Sequence, residues 1–113
     1  MRWQHLRDSR CPDRSCYGGL SAAISATPEL VITGSLDGFL EVYDASTGDL
    51  LWSHDSWRTY DTVNGVAASG GSFDAHGPMI ADDQVMVASG YGSFGQKGGN
   101  AFLVFAIDPE VQP

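Results

Sequence analysis

The sequence predicts an all-β fold of short antiparallel strands, and three observations support this. Residues 30–52 hold three apolar runs, LVIT, FLEVY and LLW, separated by two turn sequences. The first turn contains Asp37-Gly38, a strong hairpin signal because glycine accepts the positive φ that such turns require. A comparable order of runs returns in residues 75–108. A three-stranded meander of this kind is the unit from which the blades of β-propellers are built.

The first blade is predicted to contain four strands, A to D, over residues 20–26, 30–35, 39–44 and 50–54. Strand A, LSAAISA, has the small residues that suit the crowded axis of a propeller, although a short helix fits this segment as well. Strand C alternates, so that Phe39, Glu41 and Tyr43 are expected on one face. The turn into strand D, DASTG, has side chains that bond nearby backbone N–H groups and a glycine that gives conformational freedom.

The second blade is predicted to be incomplete, with strands over residues 75–81, 84–89 and 101–107. Its first turn, Asp82-Asp83, is expected to be solvated and not a metal site. The chain thus divides into an irregular segment, 1–19, and a partial propeller, 20–113, with blades at about 20–54 and 75–108. Fewer than two blades cannot close a ring of about four to eight, so we expect a fragment of a longer propeller.

Two long segments, 55–74 and 90–100, are expected at the same end of the propeller. Alternate connections of an up-and-down sheet lie on opposite ends, and the short turns all fall on the other end. The long segments are rich in glycine, aromatic and polar residues. Long loops gathered at one end of a rigid scaffold are where binding and catalytic residues usually lie, although they can also be tolerated insertions.

The charge distribution excludes nucleic acid as a partner. The formal net charge is −8, and four of the six basic residues lie in the first fourteen positions. From residue 15 onward only Arg58 and Lys97 oppose twelve acidic residues, a surface that repels phosphate backbones. The acids serve solubility, or a few of them bind a cation.

No apolar run is long enough to span a membrane, and the first residues lack the apolar core of a signal peptide. Cys11 and Cys16 complete neither a haem-attachment motif nor a zinc site, and they are compatible with a local disulfide or with two thiols.

The segment DASTGDLLW resembles the tryptophan-docking motif of quinoprotein propellers, A-x-D-x-x-T-G-x-x-x-W, with Asp44, Thr47, Gly48 and Trp52 matching. Val42 stands where the motif has alanine. The wider sequence, with VNGVAASGGSFDAHGP and SGYGSFGQKGGNAFLVFAID, is similar to the last part of bacterial polyvinyl-alcohol-dehydrogenase-like proteins with pyrroloquinoline quinone (PQQ) repeats. The resemblance covers residues 18–108.

The resemblance implies a periplasmic or secreted quinoprotein, typically with eight blades, that oxidises an alcohol. It implies PQQ held by a divalent cation, usually calcium, and a cytochrome c or quinone as electron acceptor. The remaining blades of the longer chain would be partners of this segment. In the docking motif, the tryptophan stacks between blades, and the aspartate and threonine tie down the turn.

In this family PQQ lies near the axis, on the end that carries the long segments. Polar and aromatic residues stand there, among them Trp57, Arg58, Tyr60, Asp61, Phe94 and Lys97. The candidate cofactor-binding residues are Asn64, Asp74, His76, Tyr91 and Asn100. Each has a structural alternative, since Asn64-Gly65 is also a plain turn, His76 an ordinary histidine and Tyr91 a cover for the blade. No matched motif identifies the catalytic base or the cation ligands.

Three functions fit the sequence. The first is part of a PQQ-dependent alcohol dehydrogenase, and the isolated chain is then expected to be inactive. The second is a non-catalytic PQQ-repeat propeller that acts as an interaction scaffold. The third is an inactive truncated fragment. The long loops favour the first, because scaffold repeats tend to keep short ones.

Overall fold

The computed structural model describes residues 20, 22–74, 77–91 and 97–106. Within these ranges the chain is all-β, without a helix, and therefore without a helix able to cross a membrane. The two cysteines lie outside them. The described residues form nine strands: β1 (Ser25–Ala26), β2 (Leu30–Gly34), β3 (Phe39–Asp44), β4 (Leu50–Asp55), β5 (Thr59–Tyr60), β6 (Ala68–Ser69), β7 (Met79–Ala81), β8 (Gln84–Ser89) and β9 (Ala101–Ala106).

The first sheet is an antiparallel meander in the order β1-β2-β3-β4, as the sequence predicts for a propeller blade. The β2–β3 hairpin closes at Gly38, whose φ of 89° lies in the left-handed region open to glycine. Between β3 and β4 the register shifts, because Val42 pairs with Trp52 while Tyr43 pairs with Leu50. The extra residue forms a β-bulge next to the turn that follows Asp44.

The prediction of a seven-residue strand A is wrong for the first blade, where only Ser25 and Ala26 pair with β2. The chain leaves the first sheet to follow the segment before β7. There the carbonyl oxygen of Ala23 lies so close to Gly77 that a Cβ on that glycine would be 2.2 Å away. The hydroxyl of Ser25 also donates to the carbonyl oxygen of Pro78. Contact with the second blade thus replaces the sheet pairing expected from the apolar composition.

The third sheet, β7-β8-β9, is the predicted incomplete second blade. Its first strand begins at Met79, later than residue 75, because Gly77 and Pro78 pack against the segment before β1. Strands β8 and β9 pair along their whole lengths, from Gln84 opposite Ala106 to Ser89 opposite Ala101.

The hydrophobic core lies between the first and third sheets. Ile32 and Leu40 from the first sheet join Val85, Val87 and Leu103 from the third in one buried cluster. Such face-to-face packing of antiparallel sheets is the arrangement of neighbouring propeller blades. The fold is therefore a partial, open β-propeller.

The connection between the two blades is more ordered than the predicted loop of residues 55–74. Strands β5 and β6 within it form a short antiparallel hairpin, with Thr59 opposite Ser69. Phe73, close to the end of the connection, is fully buried in the core between the blades. The connection is thus anchored at both ends.

Candidate functional site

Three backbone segments meet at the end of the propeller that carries the long loops. They are residues 69–72, 89–90 and 97–100, which we call the glycine crossing. The amide of Asn100 donates to the carbonyl oxygen of Ser69 at 2.7 Å, and that of Ser72 to Lys97 at 2.9 Å. The amide of Gly90 donates to Ser72 at 2.8 Å. The two long segments therefore lie together, as the parity of the connections predicts.

The crossing requires glycine because the backbones approach more closely than side chains allow. A Cβ on Gly71 would lie 2.3 Å from the carbonyl oxygen of Lys97, and one on Gly99 would lie 2.4 Å from that of Ser69. Gly90, with φ of 97°, would place a Cβ 2.3 Å from Cα of Gly99. Real Cβ atoms essentially never make such contacts, so backbone lies directly against backbone at these three glycines.

Buried serines tie the crossing to the first blade. The hydroxyl oxygens of Ser56 and Ser89 lie 2.9 Å apart, and the amide of Gly71 donates to Ser89 Oγ at 2.9 Å. Ser56 Oγ also lies 2.8 Å from the carbonyl oxygen of Gly38 in the β2–β3 turn. Sequence reasoning missed these serines, because a single small hydroxyl at the end of a strand or directly after it carries no motif. Their full burial shows that they act as internal hydrogen-bonding groups.

Two of the predicted site residues hold backbone in place. The side-chain oxygen of Asn100 accepts a hydrogen bond of 2.8 Å from the amide of Ser69, which fixes the base of the β5–β6 hairpin. Asn64 Oδ1 accepts hydrogen bonds from the hydroxyl of Thr62 at 2.8 Å and the amide of Val66 at 3.2 Å, which shapes the hairpin tip. These contacts favour the turn alternative for Asn64.

The other predicted site residues lie around the crossing or outside the described ranges. Asp74 follows Phe73 and is half-buried. Tyr91 follows the crossing directly, and 60% of its surface is exposed. His76 lies outside the described residues. The structure brings Asn100 to the crossing and places Asn64 at the tip of the adjoining hairpin.

An aromatic ring and a cation lie together at the same end. The indole of Trp57 packs on the β2–β3 turn, where a Cβ on Gly38 would be 2.1 Å from Trp57 Cδ1. The ammonium of Lys97 stands over this ring, 5.9 Å from its centroid, in cation–π geometry. A flat ring next to a positive charge is chemically suited to a planar, anionic ligand.

A histidine–tyrosine pair lies where the two blades meet. His54 Nε2 and the hydroxyl of Tyr60 are 2.7 Å apart. Burial and the nearby Arg58 lower the pKa of His54, and burial raises the pKa of Tyr60. The pair is therefore uncharged at neutral pH. The His54 ring also packs edge-on against Phe105 of the second blade at 5.0 Å.

At the opposite end, the turn after β3 is tied by its aspartate. Asp44 Oδ1 accepts hydrogen bonds from the amides of Ser46 at 2.9 Å and Thr47 at 3.2 Å, and bonding with Ser46 lowers the pKa of Asp44. Gly48 closes the turn with φ of 79°. Further along β4, Trp52 packs edge-on against Phe105 at 5.0 Å, so its indole bridges the blades.

The described residues contain no group of three or more histidine, cysteine, aspartate or glutamate side chains placed to hold a metal ion.

The chain is similar to two curated proteins. It is 34% identical over 122 residues to the polyvinylalcohol dehydrogenase of Sphingopyxis sp. (strain 113P3), which covers 96% of this chain. It is 35% identical over 102 residues, 82% of this chain, to the polyvinylalcohol dehydrogenase of a Pseudomonas species. The chain belongs to the polyvinyl-alcohol-dehydrogenase-like quinoproteins. It spans only 19% and 16% of the length of these two relatives. No family model and no solved structure matches the chain.

Proposed function

We propose that this chain is a segment of a PQQ-dependent alcohol dehydrogenase, and that its glycine-crossing end forms part of the wall of the cofactor site. The observation that carries the proposal is the meeting of both long segments at one end of a blade pair homologous to polyvinylalcohol dehydrogenases. Binding and catalytic residues of a propeller lie on such loops, because loop sequences can change without disturbing the packing of the strands in the core.

The residues present fit one flank of PQQ. PQQ is planar and carries carboxylates, so it needs a flat apolar surface and positive or N–H groups. Trp57 offers an aromatic ring, and Lys97, which stands over that ring, offers a charge that attracts a carboxylate. Tyr91 offers a second exposed ring at the same end. When bound, PQQ accepts the two electrons that an alcohol loses on oxidation.

The described residues have separate roles in this proposal. Trp57 and Lys97 bind the cofactor, while Asn100 and the buried serines hold the loops that shape the site. Asp74, half-buried after Phe73, and His76 stay candidates for polar contacts with the cofactor.

We propose that the rest of the longer propeller packs on the outer face of the third sheet. Met79, Phe102 and Val104 are 60%, 64% and 51% exposed on that face. The opposite face of the same sheet buries Val87 and Leu103 against the first blade. A sheet that is apolar on both faces is typical of a blade with neighbours on both sides. We also propose that Asp44, Thr47, Gly48 and Trp52 form a tryptophan-docking motif, in which the tryptophan stacks between neighbouring blades.

The proposed location is the periplasm or the exterior of the cell, with a cytochrome c or a quinone as electron acceptor. The relatives are quinoproteins, and this class of enzyme delivers electrons to such acceptors. The segment alone is expected to be inactive, because two blades cannot enclose a cofactor.

The test is reconstitution of the full-length protein with PQQ and calcium, followed by dye reduction with secondary alcohols. Turnover that requires PQQ supports the proposal, and Lys97→Ala should weaken PQQ binding measured by absorbance titration. Lys97→Arg is the matched control, because it keeps the charge above the indole. A protein that binds no PQQ, or that binds it equally well with Lys97→Ala, contradicts the assignment of this site.

A further inference from the structure

The β5–β6 hairpin is joined to the rest of the propeller by two side-chain contacts of different kinds. On the β6 side, the amide of Ser69 donates a hydrogen bond of 2.8 Å to the side-chain oxygen of Asn100. On the β5 side, the phenol oxygen of Tyr60 lies 2.7 Å from Nε2 of His54. We call these contacts the β6 anchor and the β5 anchor. Of the two, only the β5 anchor contains a group that titrates near neutral pH.

The hairpin depends on its anchors because its own pairing is short. Two residue pairs join the strands, Thr59 with Ser69 and Tyr60 with Ala68. A two-stranded hairpin is at best marginally stable by itself in water. The ring of Tyr60 also packs against the hydrophobic core, which keeps the hairpin attached in most molecules. Weakening of one anchor therefore raises the fraction of molecules with a detached hairpin and leaves the blades folded.

The hydrogen bond of the β5 anchor requires a neutral histidine. When His54 is neutral, the hydroxyl of Tyr60 can donate to Nε2 at 2.7 Å, the nearer of two acceptors. A protonated imidazole carries N–H on both nitrogens and accepts no hydrogen bond. The hydroxyl then has the carbonyl oxygen of Ser56, which is 3.5 Å away and already accepts a bond of 2.8 Å from the amide of Arg58.

The ring of Tyr60 is also part of the cover over His54. Trp52 stacks on the imidazole with ring centroids 5.9 Å apart, Phe105 meets it edge-on at 5.0 Å, and Tyr60 lies at 6.0 Å. These neutral rings replace water around the imidazole. When the hairpin detaches, Tyr60 leaves and water reaches His54. An imidazolium gains hydration in that step, so its charge favours the detached hairpin.

The charged groups near His54 act in opposite directions. Burial and the positive charge of Arg58 lower the pKa of His54, while the neighbouring carboxylate of Asp55 raises it. The lowering effects are larger, so the attached hairpin binds a proton less tightly than the detached one. The attached form is therefore most stable above the ordinary pKa of 6.5, and its advantage falls as the pH drops below that value.

We propose that His54 and Tyr60 form a pH-sensitive clasp on the β5–β6 hairpin, which acid opens on the β5 side while Asn100 still holds the β6 side. This goes beyond the proposed oxidation, because it concerns the movement of the hairpin and not the chemistry of the cofactor.

The first experiment measures hydrogen–deuterium exchange over residues 58–70 of the full-length protein by mass spectrometry. After correction for the intrinsic pH dependence of amide exchange, this segment should exchange about fivefold faster at about pH 5 than at about pH 7.5, the factor that corresponds to the net contribution of one typical hydrogen bond. Strand β8 (Gln84–Ser89) should show no such change, because it belongs to the blade and not to the hairpin.

His54→Gln is the matched variant, because glutamine can exchange a hydrogen bond with Tyr60 but does not titrate. Its corrected exchange should be the same at both pH values. Tyr60→Phe removes the hydroxyl of the β5 anchor, so exchange over residues 58–70 should already be about fivefold faster at about pH 7.5. Equal corrected exchange of the wild type at both pH values, or a pH dependence that persists in His54→Gln, overturns the inference.

The second experiment uses hydroxyl-radical footprinting of the wild type, which reads the exposure of the Tyr60 ring directly and does not depend on any variant folding. Oxidation of Tyr60 should rise at about pH 5 relative to that of Tyr91, which is 60% exposed and serves as the reference. An unchanged ratio of the two rates contradicts the clasp. Neither measurement needs bound cofactor or turnover, so a failure of the clasp and a failure of the proposed oxidation are distinguished.

Discussion

Gly99→Ala would place a methyl group 2.4 Å from the carbonyl oxygen of Ser69 and 2.9 Å from the carbonyl carbon of Gly70. Ordinary contact begins near 3.4 Å, so one backbone segment must move by about 1 Å. No flexible side chain is in the way, and both neighbours are held by main-chain hydrogen bonds. We expect a loss of about 1–3 kcal/mol in the free energy of unfolding, the usual cost of overpacking.

The adjacent glycine provides the control. A Cβ on Gly98 meets no atom within 4 Å. Gly98→Ala should therefore stabilise the protein by about 0.4–1 kcal/mol, because alanine restricts the unfolded chain. The two variants have the same composition, so the comparison isolates the steric contact.

Urea unfolding of the longer protein, followed by tryptophan fluorescence, measures this difference. With a slope of about 1–3 kcal/mol per M, a gap of about 2 kcal/mol separates the two midpoints by about 1 M. The Gly99→Ala variant should also lose the paired hydrogen bonds between Ser69 and Asn100, visible as faster amide exchange at Ser69. Equal midpoints for the two variants would refute the close crossing of these backbones.

Three further changes test other contacts. Ser89→Ala leaves the buried amide of Gly71 without its acceptor, so the free energy of unfolding measured by urea titration should fall by about 1–3 kcal/mol. Ser53→Ala is the control, because Ser53 is exposed and its replacement should not change the free energy of unfolding measurably. The pKa of His54 is lower in the folded protein than its ordinary value of 6.5, so the unfolded chain binds more protons and stability should fall as pH drops through that value. His54→Phe should flatten this part of the pH profile, and an unchanged slope would contradict the buried, neutral histidine. Asp82 has φ of 53°, so Asp82→Ala should lower the urea midpoint by the equivalent of about 1 kcal/mol, and Asp82→Gly should leave it nearly unchanged.

The sequence predicted the central meander well because its local signals agree. β-branched and aromatic residues alternate in β2 and β3, and Gly38 and Gly48 stand where the backbone needs positive φ. Counting connections also predicted that the two long segments share an end. These features depend on residues close in sequence or on topology alone.

Features that depend on contacts between distant segments were missed. The segment before β1 looked like a strand from its small apolar residues, but contact with Gly77 and Pro78 draws it away from the first sheet. The β5–β6 hairpin lacks alternating apolar residues, and Ser69 at its base donates a hydrogen bond to Asn100, more than thirty positions away. The hydrogen bond from Ser69 to Asn100 was not foreseen, because an amide in a loop gives no sign of which backbone group it meets; the role of Asn100 as a cofactor contact stays a prediction.

The glycine crossing also bears on how this protein can change over evolutionary time. Its junction is made of main-chain atoms, which every sequence possesses, and of a few buried hydroxyls. Residues beyond it, such as those at the tip of the β5–β6 hairpin, contribute nothing to that junction. Substitutions at the tip can therefore accumulate while the glycine crossing keeps its geometry. Related proteins can then differ in what they bind without any change in the packing of the propeller blades.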